Sequence, residues 1–448
     1  MREVRGNMKK RILAVLLAAA TAISTSACKA PAGQESTGAE KTEAAESAEN
    51  RSMKADPVTI HYFGHANSNG ANEQIISDFQ KEYPWITVEL VDLPNDTAQK
   101  LSTISTILQA KDSSIDVMVM DGTWTTNFMS AGWLEPLSGK ITDEQLGTYV
   151  DGAISGCYLG DELYALPFYL NVSSLLYRKD LLDKYGFEPA KTWEELIEQC
   201  KVITAGEENM SGFTAAWKQN ESLTCTGLEY VWAFGGDVLN ENGTCIINSN
   251  ETKAGLQMMK RLVDEGITVE GITGFTSADM RAPFYAGNVV YARDWATGYV
   301  GATDEKQSGI ADQVGIAPLP GGEDQDTNYN CSGGWNMGVS AFSEHKEEAE
   351  LFAAYACSYD ANVTQTSMNG DIPTNLEVLK SEKVLEARPY MAELADMTAK
   401  CKNRPSSPYY EEVSAAFQNG VGNYLAGNVE LDPMLEEMQK TIDEIMSR

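Results

Sequence analysis

An α/β protein of two lobes, joined by crossing segments and ending in helices, is what this sequence predicts. Three observations carry that expectation. The chain has 448 residues, more than one ordinary core holds and enough for two. From residue 58 to about 130, strand and helix periodicities alternate, as in an α/β unit wound around parallel strands. The stretch 163–178 (L-Y-A-L-P-F-Y-L-N-V-S-S-L-L-Y-R) reads as chain leaving one compact unit and entering another. Pro167 cannot donate to a central ladder, so two short extended pieces are expected there rather than one strand. Tyr169 and Asn171 alternate with Leu170 and Val172, which turns one polar face toward the cleft between the lobes.

The elements follow in order. Residues 58–63 (V-T-I-H-Y-F) alternate as a strand. Over 72–83, Ile75, Ile76, Phe79 and Tyr83 share a helical face, and Pro84 ends it. Ile86, Val88 and Leu90 mark the next strand. Asp96 can cap a helix that turns Leu101, Ile104 and Leu108 inward. Residues 115–120 (I-D-V-M-V-M) form a near-continuous apolar run, as in a strand covered on both faces, and end at Asp121-Gly122. Past the crossing, Thr192-Trp193-Glu194-Glu195 opens a helix as a capping box. A further helix is expected over 251–265, a short strand over 289–291, an extended segment over 315–320 and a helix over 346–357. Two C-terminal helices follow, the last opening at Asp432-Pro433 as cap and first position.

The N-terminus reads as an export signal. Lys9, Lys10 and Arg11 precede an apolar run, 12–23, of signal-peptide length and too short to span a bilayer. Small residues at 24–27 then lead to Cys28. This resembles a bacterial lipobox, in which Cys28 becomes the lipidated mature N-terminus, anchored stably by two or more acyl chains. The alternative is a plain secretory signal with an incidental cysteine. Residues 29–56, rich in Ala, Glu, Ser, Thr and Gly, cannot bury enough apolar surface to order themselves and read as a tether. The expected organisation is therefore a signal peptide over 1–28 and a tether over 29–56. An N-terminal lobe is expected over 57–167 plus about 296–329, and a C-terminal lobe over about 170–293 plus 332–448.

A net charge of −31, from 65 acidic against 34 basic residues, repels phosphate backbones and excludes nucleic acid as a partner. Beyond Cys28, seven cysteines remain, with no C-x-x-C spacing. Scattered buried thiols are expected, with a Cys225–Cys245 disulfide as a weaker alternative. The three histidines form no metalloprotease motif, and no nucleophile elbow, phosphate loop or dinucleotide fingerprint occurs. No metal or cofactor is expected, and nothing predicts an obligate oligomer.

The aromatic positions carry more. Trp295 and Trp335 lie in polar or glycine-flanked segments rather than apolar stripes, and Gly333-Gly334 permits close backbone approach beside Trp335. Rings of this kind match the C–H faces of sugars. Planar Asp, Asn and Arg groups match their hydroxyl edges, and Arg404, held before Pro405, can fork two hydroxyls. Trp193 reads as core.

From about residue 58 onward the chain resembles the bacterial extracellular solute-binding proteins that serve ABC sugar importers. The resemblance is to the maltose-binding class and its trehalose/maltose-binding branch. The carrying segments are 116–137, 163–182, 191–196 (K-T-W-E-E-L), 284–295, 333–346 and 404–410 (R-P-S-S-P-Y-Y), in family order. The resemblance implies a periplasmic-binding-protein-like (type II) fold whose lobes close on a sugar, with an ABC permease as partner. It implies ligand contacts at Asp121, Tyr169, Trp295, Trp335 with Gly334, Arg404 and Thr97. A branch glutamate is replaced by Ser68, beside Asn67. A crossing aspartate is replaced by Asn171 and an aromatic by Thr297, so a sugar of different shape is expected. The function implied is capture of a di- or oligosaccharide without chemistry. The alternatives are a secreted carbohydrate-active enzyme, which needs a second cleft carboxylate, and a receptor of the same fold for a peptide, polyamine or metal.

Overall fold

The computed structural model describes residues 56–65, 69–240, 242–322, 327–392, 394, 397, 401–405 and 407–448. The expected signal peptide, Cys28 and nearly all of the tether lie outside them, as do Asn67 and Ser68.

The first lobe is wound as its periodicity predicts. Strand β1 (Val58–His65) leads to helix α1 (Ala71–Glu82), then β2 (Ile86–Leu93), α2 (Thr97–Gln109), β3 (Val117–Asp121) and α3 (Gly122–Ser130). β1 pairs parallel with β2 on one edge and with β3 on the other. Every residue of β3 is buried, which explains its unbroken apolar run. Asp96 caps α2 by accepting from Gln99 N at 3.0 Å. Asp121, the last residue of β3, caps α3 through Thr123 N.

The crossing is one strand, β4 (Ala165–Arg178), not two pieces. Pro167 is accommodated at a bulge. β4 pairs with Trp335 at Tyr169 and with Asn336 at Pro167, so Phe168 is the extra residue. A bulge interrupts the ladder where proline has no N–H to give. The strand nonetheless serves both halves of one sheet. Its first half lies against β8 (Asn330–Val339). Its second half pairs with β6 (Val289–Trp295) on one edge and β7 (Val314–Ala317) on the other. With β5 (Ser211–Thr214), the mixed sheet runs β2-β1-β3-β8-β4-β6-β5, and β9 (Cys401–Asn403) pairs with β8.

Packing redraws the expected lobe boundaries. The described part of 296–329 packs with the second lobe. Ala296, Ala302, Ile310, Val314 and Ile316 cluster with Val172, Leu176 and Val289, because β7 completes the open edge of β4. Conversely Met337, Val339 and helix α8 (Lys346–Ala356) pack into the first core, because β8 inserts between β3 and β4. The second lobe's main core gathers Trp193 of α4 (Trp193–Gly206), Trp217, Trp232 of α5 (Glu221–Ala233) and the apolar faces of α10 and α11. Here α10 spans Tyr410–Leu425 and α11 spans Leu431–Met446. Helix α11 begins two residues earlier than expected, with Glu430 as its cap. Pro433 still falls in the first turn, where its missing N–H costs nothing. Between these, α6 (Asn250–Asp264), α7 (Ala296–Ala302) and α9 (Tyr359–Asn369) complete the helices used below. All seven described cysteines are free thiols, so no Cys225–Cys245 disulfide forms.

Candidate functional site

Strand alternation gathers the predicted aromatic residues. Across the crossing, Tyr169 pairs with Trp335, Asn171 with Gly333 and Ser173 with Trp295. Alternate residues share one face of a strand, so Tyr169, Asn171, Trp335 and Trp295 lie on a common face. Gly333 lies against Trp295: a Cβ there would meet Trp295 Cη2 at 3.5 Å, an ordinary contact distance. On the neighbouring strand Trp335 pairs with Asp121, which brings the end of β3 into the same group.

A charged bridge crosses between the lobes beside these rings. Arg404, just after β9, donates from Nη2 to Asp121 Oδ1 at 2.8 Å and from Nη1 to Glu221 Oε1 at 2.7 Å. Asp121 also receives Thr123 N at 3.0 Å and Thr123 Oγ1 at 2.9 Å. Glu221, first residue of α5, accepts from Tyr410 Oη, and Ser414 Oγ donates to its Oε2 at 2.7 Å. Arg404 and Asp121 are 9 % and 6 % exposed, so the pair is shielded from screening water. Burial works against the Arg404 charge, but Asp121, Tyr410 and Glu221 hold its pKa above the usual value.

Two cavities flank this bridge. One, of 430 Å³, is lined by Thr123, Tyr169, Gly334, Arg404 and Tyr410 among others. The other, of 290 Å³, is lined by Thr97, Asp121, Trp124, Glu221, Arg404 and Glu411 among others. Arg404 belongs to both. Burial raises the Glu411 carboxyl to about 7, helped by the charges of Glu221 and Asp121, although Arg404 and the Trp124 indole pull the other way.

Each tryptophan is backed by a cation. Lys100 Nζ lies 4.7 Å from the Trp335 ring centre, and His65 meets the same ring edge-to-face at 4.1 Å. The Arg293 guanidinium lies 4.5 Å over Trp295 and is itself held by Glu229, with both charges buried. Trp335 was expected on the second lobe and instead packs against the first core, where His65, Lys100 and Trp124 surround it.

Eight of the ten predicted contact positions are therefore brought together: Thr97, Asp121, Tyr169, Asn171, Trp295, Gly334, Trp335 and Arg404. Asn67 and Ser68 lie outside the described residues. Sequence reasoning missed His65, Lys100, Glu221, Glu411 and Tyr410. A usable signal existed for His65, which ends β1 as Asp121 ends β3, since ligands of α/β sheets gather at strand carboxyl ends.

Residues 65–363 match the family model described as bacterial extracellular solute-binding protein. The chain belongs to that family. Among curated relatives, a probable ABC transporter-binding protein of Deinococcus radiodurans is 29% identical over 374 residues, covering 81% of this chain and 87% of the relative. A mannitol-binding protein of Pseudomonas aeruginosa is 26% identical over 325 residues, covering 70% and 72%. Among solved structures, maltose-bound T. maritima MalE3 is 31% identical with a TM-score of 0.81, over 86% of this chain and 99% of that one. The two-lobed mixed α/β architecture is that of this family.

Proposed function

We infer that this protein is the sugar receptor of an ABC importer. It captures a di- or oligosaccharide between its lobes and presents it unaltered to the permease, tethered to the membrane through lipid on Cys28. The observation that carries this reading is the shared face of Tyr169, Asn171, Trp295 and Trp335 beside the Asp121–Arg404 bridge. Flat rings suit the C–H faces of pyranoses, and the carboxylate, amide and guanidinium suit their hydroxyls. The relatives support it: MalE3 holds maltose, and others are named mannitol-binding and multiple sugar-binding proteins. A ligand touching Asp121 on one lobe and Arg404 on the other favours closure, because it binds the closed arrangement better than the open one.

A thermal-shift screen against maltose, maltotriose, trehalose and mannitol tests this. A ligand at 100 times its Kd adds about 2.7 kcal/mol to the folded state. If no sugar raises the melting temperature while a polyamine or peptide does, the sugar assignment fails. A hydrolytic reading has one feature in its favour, the raised carboxyl of Glu411 near Asp121. Overnight incubation with maltotriose separates the two, since a receptor returns the sugar intact and glucose in the supernatant would establish hydrolysis.

A further inference from the structure

We propose that His65 is a ligand contact of this cleft, donating from Nε2–H to a sugar oxygen seated against Trp335, and that Lys100 is the positioning residue that fixes that proton. This deepens the sugar-receptor reading and rests on it.

The argument begins with an orphan. His65 closes β1 and is half-buried as a residue, yet its Nε2 is enclosed and has no hydrogen-bond partner among the described residues. Its other nitrogen is taken: Lys100 Nζ lies 2.8 Å from His65 Nδ1. An ammonium has only protons to give, so Nδ1 accepts and a neutral imidazole must carry its single proton on Nε2. Burial and the Lys100 charge both hold the His65 pKa well below its usual value, so the ring stays neutral. Lys100 is 7 % exposed; burial lowers its pKa to about 8, and Asp121 and Asp96 help keep it charged at neutral pH.

A buried donor without an acceptor is costly and calls for an explanation. The surroundings supply one. His65 sits 4.1 Å from the Trp335 ring and 6.1 Å from the Tyr169 ring, on the same group of residues that the sugar reading uses. Asn171 Oδ1, on the shared face, is likewise buried without a partner among the described residues. One unmet donor and one unmet acceptor at the same aromatic face match a hydroxylated ligand, which offers both functions. Sugar oxygens suit the His65 donor, and a hydroxyl hydrogen suits Asn171.

The test uses the full chain and two readouts. Long-range ¹H–¹⁵N correlation of the three histidines, with His65→Gln for assignment, should show His65 as the Nε2–H tautomer, and its Nε2 signal should shift on adding sugar. In parallel, affinities for maltose, maltotriose, trehalose and mannitol are measured for wild type, His65→Ala, His65→Gln and Lys100→Met. Loss of one such hydrogen bond weakens binding about tenfold in His65→Ala. His65→Gln, whose amide N–H can take the place of Nε2–H, should recover much of it. Wild-type affinity should weaken above about pH 8, where neutral Lys100 can accept from Nδ1–H and the tautomer is no longer enforced. Lys100→Met should lose that alkaline step and populate the Nδ1–H tautomer. Sugar binding that His65→Ala leaves unchanged, or an Nδ1–H tautomer in wild type, overturns the inference alone. Failure of wild type to bind any of the four sugars overturns the receptor reading and this contact with it.

Discussion

Asp121 is already well bonded, since its Oδ1 receives Thr123 N, Thr123 Oγ1 and Arg404 Nη2. A sugar hydroxyl must therefore share this carboxylate with Arg404 rather than meet it free. Removing Arg404 has a cost beyond any ligand. Arg404→Met leaves Asp121 without its hydrogen-bonded countercharge and Glu221 with only hydroxyl and thiol donors, and breaking a buried ion pair in this way costs about 3–5 kcal/mol. Asp121→Asn keeps an acceptor for Thr123 and Arg404 and should cost clearly less; urea unfolding of the two variants checks the order. At Trp335 the effect falls on binding instead. Trp335→Ala should weaken sugar affinity by about 2 kcal/mol, roughly 30-fold in Kd by titration calorimetry. Trp335 and Trp295 were legible in the sequence because their polar, glycine-containing context contradicts a core role. The His65–Lys100 and Glu221–Arg404 pairings were not, because the partners stand 35 and 183 residues apart.

Among the elements, β4 shows where local chemistry misleads. Pro167 reads as a break, yet the bulge at Phe168 absorbs it, and one strand carries the chain through both halves of the sheet. That continuity fixes the spacing of Tyr169, Asn171 and Ser173 against β8 and β6, so the site's shared face is a property of register. The first lobe was readable because β1 to α3 are consecutive, and the periodicity of each element names its neighbour. The second was not, because β7, β8 and β9 return from distant sequence to fill edges that only the assembled sheet exposes. Support for Trp295 is of the same non-local kind. β6 brings Arg293 over its ring, and α5 brings Glu229 to hold Arg293, with Nε donating to Oε2 at 2.8 Å. Glu229→Gln strands a fully buried guanidinium. It should destabilise the fold by about 3–5 kcal/mol, read by urea unfolding, and should weaken sugar binding, because Trp295 loses its fixed backing. Arg293→Met with Glu229→Gln removes both charges and should recover much of the stability but not the cation over the ring. A double variant no more stable than Glu229→Gln would show that the pair itself is not what holds this element together.

At the scale of the molecule, three carboxylates from the two lobes gather around one guanidinium. Asp121 comes from the first lobe, Glu221 and Glu411 come from the second, and all line the same 290 Å³ cavity with Arg404. Asp96 lines its rim, and Lys100 lies close enough to Asp121 for that charge to raise its pKa. Glu411 keeps an exposed surface, but its carboxyl lines this cavity with Trp124 of α3 and is raised to about 7 by burial and by Glu221 and Asp121. Trp124 and Asp121 belong to the opposite lobe, so opening removes part of that cover and returns Glu411 toward an ordinary carboxyl near 4.3. The sign follows from the raised value: closing takes up a proton between about pH 4.5 and 7. Closure is therefore favoured as pH falls through 7, and above 7 it carries the full repulsion of an ionised Glu411. Sugar affinity, which includes the work of closing, should strengthen from pH 7.5 to 5.5. Calorimetry in buffers of different ionisation enthalpy should record net proton uptake on binding at pH 6. Glu411→Gln should bind with level affinity over this range, close to the wild type at pH 5.5, since the amide imitates the protonated acid. An uptake that persists in Glu411→Gln would place the titrating group elsewhere, with buried Asp371, raised to about 6 by its burial and bonded to Gln365 and Asn369, the next to substitute. Binding without any proton uptake in the wild type would mean that Glu411 meets the same surroundings open and closed, and that the two lobes do not separate along this cavity.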